Sequence, residues 1–446
     1  MARRVVAAYG RNRARKAPAN LFDNWAQREY TLIKPGLERI RSFINLAGLN
    51  PRAFKIIHIA GTNGKGSAAA YLDSILRAAG VKTGLYTSPH LIRAEERIVF
   101  DGKPVGRGRL FELYGRFRAS IEKSGLTFFE TMTALAAAHF ADCGAQAAVM
   151  EVGVGGAYDA TNVFGDKAVT VITGVSVDHV DLFGPRTEAM IAEDLGIIKR
   201  GVPLVVGRLN PRLAAMAFAA ARRAGCPIYA EGRDFKPSAV STDWRRMRQA
   251  FDYRQKASVI PRLEIGLMGS YQIGNAAVAV KAALETSRVF RGVDEAAVRK
   301  GLSLARWPGR FDVRKFGGNT IIVDGAHNED AMRRFTADYL KSPFASKKSV
   351  FVFGALRGKN HRAMAGSIAR AADSVAVRAL DGPRALGADE ISAVFKKILK
   401  TPARIISGPG GLKQFLRKKT PANIVIAGSL RLAGEALAII VGNRRT

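Results

Sequence analysis

Residues 56–80 read IIHIAGTNGKGSAAAYLDSILRAAG. The apolar run Ile56, Ile57, Ile59 suits a buried strand, and Leu72, Ile75, Leu76 and Ala79 recur at helical spacing. Between them lie Gly61, Thr62, Asn63, Gly64, Lys65, Gly66 and Ser67. The glycines allow a tight turn that aims backbone N–H groups inward, and the following helix adds the positive end of its dipole. Such a nest suits polyphosphate. Lys65 supplies a cation to the β and γ phosphates, and the Ser67 hydroxyl is placed to ligate magnesium. Gly80 is expected to close the helix. A glycine-rich turn that binds nothing is the plainer reading, and the strand and helix on its flanks weigh against it. The general pattern sets Lys beside Ser or Thr, whereas Gly66 intervenes here.

At 446 residues the chain is too long for one ordinary core and is read as two domains. No run reaches the roughly 18 apolar residues of a membrane span. Cys143 and Cys226 are the only cysteines, so a disulfide framework is excluded, no spacing suits zinc, and a reducing compartment is the default. The formal charge of +33 attracts polyanions. Nucleic acid, an anionic substrate and a general compositional bias all account for it. Residues 1–20 hold six basic residues and no acidic one, and are read as a solvated basic arm with an organelle transit peptide as the alternative.

From residue 25 to 49, Leu32, Ile33, Leu37, Ile40, Phe43, Ile44 and Leu46 predict a helix, with Pro35 at an early turn. Leu85 and Tyr86 end a short strand, after which Ser88-Pro89 begins a turn presenting His90, a residue more often structural than catalytic. Thr127 to Glu130 reads as the capped start of a core helix containing Phe129. The strand AAVMEV brings Glu151 to a glycine turn, where α/β folds place ligands; its expected role is a magnesium ligand. GVGG lacks the dinucleotide spacing, so a nicotinamide-type cofactor is discounted. His179, after Asp178, suits a divalent ion, with a structural histidine as the alternative. In residues 231–264, Trp244, Phe251 and Tyr253 interleave with arginines. That pattern suits single-stranded nucleic acid, but a basic β-hairpin is the preferred reading. Beyond residue 305, the segments TIIVDG, SVFVFG, VAVRAL, ARIIS and NIVIAGS alternate with helical stretches, predicting a second parallel α/β sheet.

GTNGKGS, YTSPHL, TFFE, EVGVGG with DATN, the Asp178-His179 pair, MGSYQIGNA, RWPGR and DGAHN occur in one order along the chain. Together they resemble the folylpolyglutamate synthase and dihydrofolate synthase branch of the Mur ligase superfamily. The resemblance implies an N-terminal P-loop domain over residues 21–304 and a smaller Rossmann-like α/β domain over residues 305–446. It also implies an ATP- and magnesium-dependent amide ligase that forms an acyl phosphate, with L-glutamate and a dihydropteroate or folate as substrates. Ser88, Pro89 and His90 would lie in a mobile loop over the substrate sites, and Phe129 and Asp159 beside the pterin. Lys65, His179 and Asp194 would be catalytic, with two magnesium ions at Ser67, Glu151 and His179. Asn275 would meet adenine, Arg310 the phosphates, and Asp324 and His327 the ATP.

The chain departs from the family pattern at four places. Ala157 replaces an arginine, Asp194 stands where the family has a carbamylated lysine, Gly358-Lys359-Asn360 replaces an Asp-Lys-Asp triplet, and Arg431 replaces a tyrosine. A structural or RNA-associated protein that has lost catalysis, or a ligase with another pterin-like acceptor, are the alternative readings. A cytoplasmic monomer is the expectation.

Overall fold

The computed structural model describes Phe22 and residues 35–442. The basic arm, the residues before Pro35 that the sequence predicts as helical, including Leu32 and Ile33, and the last four residues lie outside them.

The strand read first is β1 (Lys55–Ala60), buried along nearly its whole length. It is flanked on both sides by parallel partners, which is why it carries a nearly unbroken apolar run. With β2 (Thr83–Tyr86), β3 (Ile98–Phe100), β4 (Lys103–Pro104), β5 (Ala147–Glu151), β6 (Lys167–Ile172), β7 (Leu204–Val206) and β8 (Ile228–Ala230), it builds an eight-stranded sheet in the order β4-β3-β2-β5-β1-β6-β7-β8. Successive side chains of β1 leave opposite faces. Ile57 and Ile59 join a core with Leu72, Ile75 and Leu76 of the helix Lys65–Ala78, whereas Ile56 joins a second core with Ile40 and Phe43 on the other face. Glycine after the first of these helices acts as foreseen, with one residue of offset. The cap is Ala79, and Gly80 takes the positive φ that lets Val81 N–H reach the Leu76 carbonyl.

Residues 235–265 form the expected hairpin, extended to three antiparallel strands: β9 (Phe235–Asp243), β10 (Arg248–Gln255) and β11 (Ser258–Ile265). Its aromatic residues do not face solvent. Phe251 and Tyr253 are buried, and the Trp244 ring packs on Phe311 and Phe344 with centroids 5.4 and 6.1 Å apart. Rings spent on packing offer no stacking platform for bases, so this part of the nucleic-acid reading is corrected.

The second sheet has six strands: β12 (Asp312–Phe316), β13 (Asn319–Val323), β14 (Ser349–Phe353), β15 (Ser374–Arg378), β16 (Arg404–Ile406) and β17 (Asn423–Ala427). Their order is β12-β13-β17-β14-β15-β16, parallel except for the β12–β13 pair. Both cysteines are free, and no helix among the described residues is long and apolar enough to cross a membrane.

Candidate active site at the seam between the two sheets

The loop after β1 is shaped by Gly61 (φ 124°) and Gly64 (φ 96°), conformations that side chains rarely adopt. A Cβ at Gly61 would lie 2.5 Å from Thr173 Oγ1, and one at Gly64 would lie 2.3 Å from Asn275 Oδ1. Asn275, expected at adenine, lies against this loop, and its amide donates to Gln272 Oε1 at 3.2 Å. Gln272 in turn donates to the buried Ser67 hydroxyl at 3.2 Å. Lys65 folds back over the loop, its Nζ donating to the Gly61 carbonyl at 2.7 Å. Thr62 Oγ1 donates to the Ser176 carbonyl and accepts from Ser176 N–H, tying the loop to the segment after β6.

Two buried carboxylates face Lys65. Glu151, at the end of β5, accepts from Ser88 N–H at 3.1 Å; burial pushes it up to about 7, against Lys65 and Arg310. Asp194 accepts from Gly61 N–H at 3.3 Å and is also pushed up to about 7 by burial, opposed by Lys65. His179 sits in the left-handed region (φ 49°), a backbone strain of the kind found at functional sites. Burial lowers it to about 4, so the neutral imidazole keeps a lone pair for a ligand. Among the described residues, no group of three His, Cys, Asp or Glu side chains could hold a metal by itself. Ser67, Glu151 and His179 carry donor atoms that would complete the shell of a magnesium ion brought by a nucleotide, since that ion retains waters and takes phosphate oxygens beside one or two carboxylates.

The second sheet contributes from the carboxyl ends of its strands. Asp324, after β13, accepts from Phe311 N–H, Tyr271 OH and Ala326 N–H, each at 2.8 Å, so its carboxylate is spent pinning the linker between the sheets. Arg310 lies in that linker, its Nη1 donating to the Gly309 carbonyl at 2.9 Å and its charge directed at Glu151 and Asp324. His327 donates from Nδ1 to the Gly325 carbonyl at 2.9 Å, and its Nε2 lies 3.6 Å from Asp178.

Sequence reasoning missed a polar clasp. Asp178 is ion-paired to Lys359 and accepts from Asn328 Nδ2 at 3.2 Å. Burial opposes its charge, but His327 and Lys359 outweigh that and hold the carboxyl well below the usual range. Lys359 belongs to the segment that departs from the family triplet; its neighbour Asn360 caps the helix His361–Ala369 and donates to Glu329.

The remaining predicted residues lie on the loops after β2 and β5 and at the start of the helix Phe128–Asp142. His90 Nδ1 accepts from Arg97 Nε at 2.9 Å, and burial, with Arg97 and Arg431, lowers it to about 3. Ser88 and Pro89 precede it in a cis peptide unit. The Phe129 ring lies against Gly153 and Tyr86. Asp159 accepts from Gly153, Val154 and Thr161 N–H groups and from the Thr161 hydroxyl, so it shapes the loop rather than presenting a free carboxylate.

A phosphate loop whose lysine lies between buried carboxylates, closed by a second α/β sheet, defines a two-domain nucleotide-dependent ligase of the Mur type. Residues 59–283 match the Mur ligase middle domain, and residues 309–429 match the Mur ligase glutamate ligase domain. A folylpolyglutamate synthase of Lacticaseibacillus casei is 34% identical over 420 residues, covering 91% of this chain and 94% of that protein. The solved Mycobacterium tuberculosis folylpolyglutamate synthase complexed with ADP and AMPPCP superposes with a TM-score of 0.84 at 29% identity, covering 94% and 98% of the two chains. An Escherichia coli structure in complex with DHPP and ADP gives 0.84 at 26% identity, covering 97% and 99%. The chain belongs to the folylpolyglutamate synthase/dihydrofolate synthase family of Mur ligases.

Proposed function

We propose that this protein joins L-glutamate to the carboxylate of dihydropteroate or a reduced folate at the expense of ATP. The observation that carries the reading is the place of Lys65, on a phosphate loop that faces the second domain and is flanked by Glu151, Asp194 and His179. An amide does not form readily from a carboxylate and an amine in water. A carboxylate oxygen of the acceptor attacks the γ phosphorus and ADP leaves, turning that oxygen into a leaving group. The glutamate nitrogen, as free amine, then attacks the acyl carbon, the C–N bond forms and phosphate departs.

The Gly61–Ser67 loop would bind the phosphates through backbone N–H groups, and Lys65, released from the Gly61 carbonyl, would offset charge on the transferring group. Magnesium held by Ser67, Glu151 and His179 would add Lewis-acid neutralisation of that charge. Asn275 and Gln272 position the loop and the Ser67 hydroxyl. Arg310 lies where the linker can bring a cation to the nucleotide, and the Ser88–His90 loop with Phe129 walls the acceptor side. Closure of the second domain would exclude water, which otherwise hydrolyses an acyl phosphate.

The test is ADP release by the purified protein with ATP, magnesium and L-glutamate, comparing dihydropteroate, tetrahydrofolate and no acceptor. Release that requires both glutamate and a pterin supports the reading and names the acceptor. ATP binding with no release on either acceptor sinks it.

A further inference from the structure

We propose that the end of the C-terminal domain farthest from the active site binds the phosphate backbone of a nucleic-acid duplex. Asp324 and His327, expected at the ATP, follow the carboxyl end of β13, so the opposite edge of this sheet is the one where its parallel strands begin. Lys347 and Lys348 immediately precede β14, and Lys418 and Lys419 lead into its neighbour β17. The Asn423 N–H donates to the Lys348 carbonyl, so the two lysine pairs belong to adjoining loops. Lys400, ahead of the edge strand β16, continues the row. Neighbouring strands lie about 4.8 Å apart, so the three spacings from β17 to β16 spread these loops over roughly 14 Å.

All five lysines are exposed, and among the described residues none is in an ion pair. The stretch 391–434 contains no acidic residue. Asp373, before β15, is an exposed carboxylate of this edge and accepts from the Ser349 N–H at 2.7 Å, and Asp243, at the end of β9, is exposed and accepts from the Arg246 N–H at 2.9 Å.

A second element converges on the same face. The turn between β9 and β10 exposes Arg245 and Arg246, and Trp244 beside them is anchored on Phe344, three residues before Lys347. The insertion therefore delivers two guanidinium groups next to the lysine row, with its aromatic ring turned inward. That orientation selects the partner. Single strands are gripped by base stacking, whereas the aromatic ring of this turn, Trp244, is packed against Phe311 and Phe344. A row of unpaired cations suits a duplex, which presents one phosphate per about 1.7 Å of its axis.

The test uses the full-length protein, fluorescence anisotropy and a labelled RNA duplex of about 20 base pairs over a salt series. Binding should weaken steeply with salt. The variant K347E/K348E/K418E/K419E should bind at least tenfold more weakly at low salt, with a log–log slope flatter by about 3 to 4, since each lost phosphate contact removes about 0.9. R245E/R246E should lose affinity in the same direction. An unaltered circular dichroism melt of the quadruple variant shows that folding is not the cause. The proposal is overturned if the quadruple variant binds as the parent does, if affinity is insensitive to salt, or if vesicles containing phosphatidylserine are bound and the duplex is not.

Discussion

Asn63 in the phosphate loop and Asn328 at the start of the helix Glu329–Lys341 exchange side-chain amide hydrogen bonds, each Nδ2 donating to the other's Oδ1, at 3.3 and 3.0 Å. Asn328 also caps its helix through the Ala331 N–H and donates to Asp178. One side chain thus ties the nucleotide loop, the segment after β6 and the second domain together. The nucleotide loop is thereby joined to the second domain through side chains that a bound phosphate would have next to it.

Removing the cation of the clasp tests how much the seam depends on it. Lys359→Ala leaves Asp178 buried and charged, and breaking a buried pair from one side costs about 3 kcal/mol. Urea unfolding should show that loss. The double variant Asp178→Asn with Lys359→Ala should recover part of it, because no uncompensated charge then remains. Equal losses in the single and double variants would show that the pair contributes through shape alone.

Lys65→Ala addresses the chemistry without the scaffold. Its ammonium touches only loop carbonyls, so the fold should survive. The turnover rate should fall by about 10³-fold, the scale seen when one transition-state charge stabiliser is removed. Steady-state ADP release beside a thermal melt separates the two effects. A folded variant with near-parental turnover would remove Lys65 from the mechanism.

The phosphate loop was legible because its strand, glycines and helix are contiguous, so their spacing carries the geometry. The capping box at Thr127 and Glu130 was legible for the same reason, and both of its hydrogen bonds are present. The clasp was not: Asp178 and Lys359 are 181 residues apart, and nothing local to Asp178 but His179 marks it. Asp159 and Asp324 show a different limit. Residue type announces a carboxylate beside a ligand edge but not which donors will claim it, and in both cases nearby N–H and O–H groups do. Trp244 shows a third, since nothing local reveals that Phe311 and Phe344 will cover it.

Asp73 gives the nucleotide-free protein a pH dependence. It lies buried on the helix Lys65–Ala78 with Oδ1 unpartnered, and burial pushes it up to about 6 although Arg77 pairs with Oδ2. An acid with a raised folded-state value is protonated in the native chain when the unfolded chain has already ionised. Its contribution to stability is therefore present below about pH 4 and is lost as pH rises to about 6. Asp73→Asn should flatten chemical-denaturation stability across that window and leave the variant more stable above it. A slope unchanged by the substitution would assign the window to other groups.

Two helical glycines separate crowding at the seam from helix propensity. A Cβ at Gly434, in the final helix Leu430–Gly442, would lie 1.9 Å from the Leu91 carbonyl oxygen, whereas one at Gly366 would meet nothing within 4 Å. Alanine favours a helix over glycine by about 0.5–1 kcal/mol, so Gly366→Ala should raise the melting temperature with kinetics unchanged. At Gly434 the same substitution must push the Ser88–Leu91 segment off the second domain, at a cost of about 1–3 kcal/mol. That segment also holds His90 and donates Ser88 N–H to Glu151. Gly434→Ala should therefore raise the KM for the pterin acceptor more than that for ATP. If both glycine variants behave alike in melts and kinetics, the docking of this loop on the final helix has no part in organising the site.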